Sequence, residues 1–127
     1  VTTTPSPQLP WYAAIDLVAS QLAPTAARRW LDGCLSTGPV PARHRREVRE
    51  VGCEFTREAT AHARVGDPLL LEIDIVGPIA RLSVTGPART ARLGVRTMEM
   101  LRSAFEWGVD HTPGGGRRIW CHVQIAA

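Results

Sequence analysis

The sequence predicts an α+β domain: a two-layer α/β sandwich in which helices cover one face of a mainly antiparallel sheet. Three observations predict it. Residues 69–85 and 107–125 each read as two alternating strands around a Gly/Pro turn. Three other stretches repeat apolar residues at three- and four-residue spacing, the mark of a helix with one buried face. Helices and hairpins also occur in separate blocks, which favours a helical layer segregated from the sheet. With 127 residues, 44% hydrophobic and 21% charged, the chain has the make-up of one soluble domain, burying roughly two-thirds of its unfolded surface.

The elements follow in order. Residues 1–10, V-T-T-T-P-S-P-Q-L-P, carry neither the basic nor the apolar region of a secretory signal and read as a disordered lead-in to a single domain over 11–127. Trp11 to Leu22 is short and apolar, and stands open between strand and helix. Pro24 suits a first helical turn, and the segment to about Leu35 places Ala27, Trp30, Leu31 and Cys34 on one face. Gly38 and Pro39 end it. Pro41 opens the most helical segment, roughly Arg43 to Ala63, where Val48, Val51, Phe55, Ala59 and Ala63 form the inward stripe. Gly66-Asp67-Pro68 turns into Leu69–Val76, L-L-L-E-I-D-I-V, and Gly77-Pro78 turns that strand into Ile79–Thr85. Residues 86–91 read as loop. A helix from Leu93 to about Phe105 shows the stripe Val95, Met98, Leu101 and Phe105. The strands Trp107–Thr112 and Arg117–Ile125 close the chain around Pro113-Gly114-Gly115-Gly116.

Several function classes recede on composition. No apolar run approaches the ~18 residues of a membrane span. Cys34, Cys53 and Cys121 are odd in number and lack a C-x-x-C pair, so buried free thiols in a reducing cytoplasm are expected. The net charge is +3, but the arginines at 43, 45, 46 and 49 alternate with acids and lack interleaved aromatics, so a nucleic-acid partner is not expected. His44, His111 and His122 lack metal-ligand spacing. Ser83 and Ser103 lack the His and Asp pattern of a hydrolase.

Three stretches resemble a known family. A-A-R-R-W-L (Ala26–Leu31) is similar to its first helix. E-F-T-R-E-A-T-A-H-A (Glu54–Ala63) is similar to its N-box, usually E-L-V-T-N-A-V-x-H-A. W-G-V-D-H-T-P-G-G-G-R-R-I-W (Trp107–Trp120) is similar to its closing hairpin, often R-W-G-V-x-P-x-P-G-G-K-x-V-W. The family is the GHKL, or Bergerat-fold, ATPases, and the likeness is to the short anti-sigma-factor, serine-kinase-like group. It spans about residues 12–125 in family order.

The resemblance implies a site. Glu54 matches a Glu that activates a water or a partner's serine hydroxyl. Four residues on, and hence on the same helix face, Glu58 stands where the family has the Asn that holds Mg²⁺ on the ATP phosphates. A carboxylate can hold that metal, yet Glu50, Glu54 and Glu58 together form an anionic ladder that repels ATP without it. His62 matches the N-box His, and Gly94 is what remains of a glycine segment whose amides cap phosphates. Glu58, His62 and Gly94 are therefore the nucleotide contacts if ATP binds, with Glu58 the magnesium ligand. The family's adenine-reading Asp has no counterpart, because no acid lies between Asp74 and Glu99.

The resulting expectation is a degenerate member of the family: a cytoplasmic regulatory protein resembling an anti-sigma factor, acting by protein–protein binding, and not an enzyme. No cofactor is expected, with ATP and Mg²⁺ the pair it holds if the site works. The expected partner is a sigma factor, an anti-anti-sigma domain or a second copy as a homodimer. Trp11, Tyr12, Trp30 and Trp107 are candidate interface aromatics. The alternative is an active ATP-dependent serine kinase using Glu54.

Overall fold

The computed structural model describes residues 11–87, 92–104 and 106–125. Its elements are β1 (Trp11–Val18), α1 (Ala23–Thr37), α2 (Ala42–Ala61), β2 (Pro68–Val76), β3 (Ile79–Pro87), α3 (Val95–Leu101), β4 (Glu106–His111) and β5 (Gly116–Gln124). The five strands form one antiparallel sheet in the order β1-β2-β3-β5-β4. Helices α1 and α2 pack against each other and against one face of it, giving the two-layer α+β sandwich that the alternation of the hairpins predicts. The expectations for residues 1–10, for the loop at 88–91 and for Phe105 lie outside the described residues.

Alternation decides the sheet. Leu69, Leu71, Ile73 and Ile75 of β2 are buried while Glu72 and Asp74 between them face the other way, as the period of two in a strand requires. Ala80, Leu82 and Val84 of β3 and Ile119, Cys121 and Val123 of β5 continue the buried face. The helices complete the layer with Ala27, Leu31 and Leu35 from α1 and Val48, Phe55 and Ala59 from α2. A large side chain buried this fully contributes about 1.5–3 kcal/mol. Two glycines shape the hairpins. Gly77 has φ +57° and precedes Pro78, the combination that suits a two-residue II′ turn. Gly115, with φ +81°, turns β4 into β5.

Residues 11–18, open between helix and strand on periodicity, are strand β1, paired along its whole length with β2. Four corrections follow. The helix near residue 93 is only Val95–Leu101, and of its described stripe residues Val95, Met98 and Leu101, only Leu101 is buried. Val95 is 74% exposed and Met98 39%, because the helix turns Thr97 and Leu101, four apart, towards α2. Strand β3 extends through Gly86 to Pro87, so Gly86 is not loop. Only Cys121 is a buried thiol; Cys34 and Cys53 are half-buried, and all three are free. Finally, α2 stops at Ala61, which leaves Ala63 beyond the helix, half-buried against the core. No helix among the described residues is long and apolar enough to cross a membrane.

Candidate functional site

Helix α2 carries Glu54 and Glu58, with His62 capping its end, at four-residue intervals, one above another on the side that meets α3. Each has a definite partner. Glu58 is buried, 6% exposed, and its Oε1 accepts the backbone N–H of Gly94 at 2.7 Å. His62, at the C-terminal cap of α2, brings Nε2 to 3.4 Å from the same oxygen. Gly94 is the residue that starts α3. A Cβ there would lie 3.2 Å from Glu58 Oε2, so the missing side chain lets the carboxylate approach the amide. A buried carboxylate without such a donor is costly, because it leaves water behind. Bonded to an amide, it is a charge-assisted clasp between α2 and the start of α3.

Glu54, one turn earlier, is tied differently. Its Oε2 accepts from Arg57 Nη1 at 2.9 Å and its Oε1 from the Thr97 hydroxyl at 3.3 Å. Thr97 is fully buried on α3; its part in the cluster rests on a contact across 43 positions, and no local sequence pattern marks it. Glu50 is paired with Arg46 at 3.1 Å. The three acids of the expected ladder thus each have their own partners. Glu58 in particular does not lie on a solvated face.

Beside Glu54 opens a cavity of about 580 Å³. Arg28 enters it from α1, Arg49, Cys53 and Arg57 from α2, and Arg96 and Glu99 from α3. Its charge is mixed, since Arg49 donates to Asp32 at 3.0 Å and Arg57 is held by Glu54. Among the described residues no three His, Cys, Asp or Glu side chains group as a metal site. Glu58, His62 and Gly94 are therefore brought together in one cluster, with Glu54 joined to it through Thr97 and α3. Of the aromatics, Tyr12 is 59% and Trp107 40% exposed, whereas Trp11 and Trp30 pack against the core.

Comparison with known proteins gives a fold and no family. No protein-family model matches the sequence, and no curated protein matches it either. Among solved structures, the chain is similar to the crystal structure of the RsbU and RsbW domains of Rv1364c from Mycobacterium tuberculosis, with a TM-score of 0.71 and 19% sequence identity. The match covers 90% of this chain and 32% of that one, so this chain spans about a third of the protein it resembles.

Proposed function

We propose that this chain is a regulatory domain of the anti-sigma type that acts by binding another protein, its nucleotide site closed by its own Glu58 carboxylate. The hydrogen bond from the Gly94 amide to Glu58 carries the reading. In the resembled family that amide and that helix face a polyphosphate; here a carboxylate of the chain already occupies the amide. The residues present do not fit a magnesium–triphosphate as they stand. One Glu58 oxygen is shared between Gly94 and His62, and a phosphate placed there would face a buried negative charge. The connection from Pro87 to Gly94 is six residues long, short for a segment that must fold over a nucleotide. The absence of an acid between Asp74 and Glu99 removes the adenine contact as well. Three departures at three parts of one ligand argue for lost binding, where a single one could be compensated.

Shared architecture with a structure containing an RsbW domain, together with the three stretches of family resemblance, supports regulation by protein docking. A sigma factor, an anti-anti-sigma domain or a second copy of the chain are the partners this reading implies, in the cytoplasm of a bacterium. Isothermal titration with ATP and Mg²⁺ tests it. The native chain is expected to show no micromolar binding, and Glu58→Asn, which removes the buried charge, to bind more tightly than the native chain. Micromolar binding by the native chain overturns the reading. It would favour the second one, a serine kinase using Glu54, for which the placement of Glu54 at the rim of the 580 Å³ cavity is the supporting observation.

A further inference from the structure

The sheet face that carries no helix has a charge pattern unlike the rest of the molecule. Among the described residues, cross-strand pairing places Asp16, Glu72, Asp74, Glu106 and Asp110 on it against Arg81 and Arg118, with His122 3.4 Å from Glu106. With His122 neutral, that is a net of three negative charges on one face of a chain whose total is +3. Both arginines are committed: Arg81 is forked onto Asp74, and Arg118 donates to Asp110 at 2.9 Å. The Arg118 guanidinium, with a smaller contribution from Trp120, holds the Asp110 carboxyl below the usual carboxylate range. Among the described residues Glu72 has no cation partner, and its Oε2 accepts the Tyr12 hydroxyl at 2.7 Å.

A pocket of about 440 Å³ lies in the middle of this face. Its floor is Ser83, paired with Glu72 on one side and Trp120 on the other. Strands lie about 4.8 Å apart, so Glu72 and Trp120 flank the small serine at about 10 Å across the sheet. Trp120 leans away from Ser83. A Cβ on Gly108 would fall 2.6 Å from the indole, so the ring lies against the bare backbone of β4, and His122 flanks it at 5.0 Å. The result is a notch with an uncompensated carboxylate on one wall and an indole on the other. A cation is stabilised over an indole face by the ring quadrupole, and the surplus of carboxylates attracts it from a distance.

We propose that this face docks a basic segment of a partner protein, with an arginine or lysine side chain entering over Ser83 between Glu72 and Trp120. The inference rests on the reading of the chain as a protein-binding domain and names the surface and the chemistry of what it binds. An anionic partner such as nucleic acid would meet like charge here. So would a second copy presenting the same face, since carboxylates would oppose carboxylates.

The test is a titration of the ¹⁵N-labelled chain with hexa-arginine peptide, followed by amide and indole N–H shifts. Shifts are expected at Glu72, Ser83 and the Trp120 indole, weakening as salt is raised. Glu72→Gln is expected to weaken binding by about three- to fivefold, and Trp120→Phe by a similar factor, while Glu47→Gln on α2 leaves it unchanged; the same spectra report that each variant is folded. Shifts confined to the helices, equal or tighter binding of hexa-glutamate, or unaltered binding by both variants overturns the assignment. Line broadening that grows with protein concentration alone also overturns it, because a second copy is then the occupant. If hexa-arginine fails while ATP also fails to bind, the docking face is wrong and the protein-binding reading stands; micromolar ATP binding defeats that reading by itself.

Discussion

At the residue scale, burial decides chemistry in opposite ways at two positions. Glu58 is buried with the Gly94 amide donating to its carboxyl group, whereas Cys121 is enclosed by the apolar core. Burial moves the Cys121 thiol up to about 12 from 9.0, with the Glu47 charge adding to it. A raised thiol pKa means that the folded state keeps a proton the unfolded chain has lost. Its contribution to stability is complete below about pH 9 and disappears as pH rises from there towards 12. Urea unfolding of the native chain between pH 8 and 11 should therefore show a steeper loss of stability than unfolding of Cys121→Val, approaching roughly tenfold in the folding constant per pH unit above about pH 9. Equal slopes would remove the buried thiol as the cause. The candidate cluster was legible in the sequence as far as side chains and helix spacing go, since Glu54, Glu58 and His62 fall four apart whatever surrounds them. What Glu58 and Glu54 bond to was not, because Gly94 and Thr97 are 36 and 43 positions away and no local pattern encodes such a meeting.

At the scale of elements, the crossing of α1 and α2 is tight at one residue. A Cβ on Gly52 would lie 2.3 Å from Leu31 Cδ1, and Leu31 is fully buried, so the leucine has little room to turn aside. Alanine favours a helix over glycine by about 1 kcal/mol, yet overpacking a core costs about 1–3 kcal/mol. The expected outcome for Gly52→Ala is a lower melting temperature. Gly33 in α1, whose added Cβ would meet nothing within 4 Å, is the contrast: Gly33→Ala should raise the melting temperature, through a propensity gain of about 0.5–1 kcal/mol in stability. A stabilised Gly52→Ala would mean that the helices part freely. The same balance of local and tertiary forces explains which elements the sequence disclosed. β2, β3 and α2 bury one face each, and their period is written in alternating or stepped apolar residues. β1 hides its period behind Ala13 and Ala14, small residues that suit either element, and pairing with β2 settles it. α3 misleads because Val95 and Met98 are apolar yet exposed, while the inward position belongs to Thr97.

For the whole molecule, strand order ranks stability. β3 lies at the centre, flanked by β2 and β5, while β1 and β4 are the edges, and β4 is the more open of the two, with Trp107 and Val109 exposed on its flank. Amide exchange should therefore be slowest in β3 and in the inner halves of β2 and β5, and fastest among the strands in β4. A β4 as protected as β3 would mean that its free edge is covered in solution. The order of the strands also bears on synthesis. β5 comes last along the chain, yet it sits between β3 and β4. While a ribosome is still making residues 116–124, β1, β2 and β3 can already pair, but β3 presents a bare row of amides and carbonyls along the berth of β5. β4 emerges before its sole sheet partner and waits without one. The growing chain thus carries two unsatisfied edges, each a template for stray pairing, until the nine residues of β5 slot in and close both at once.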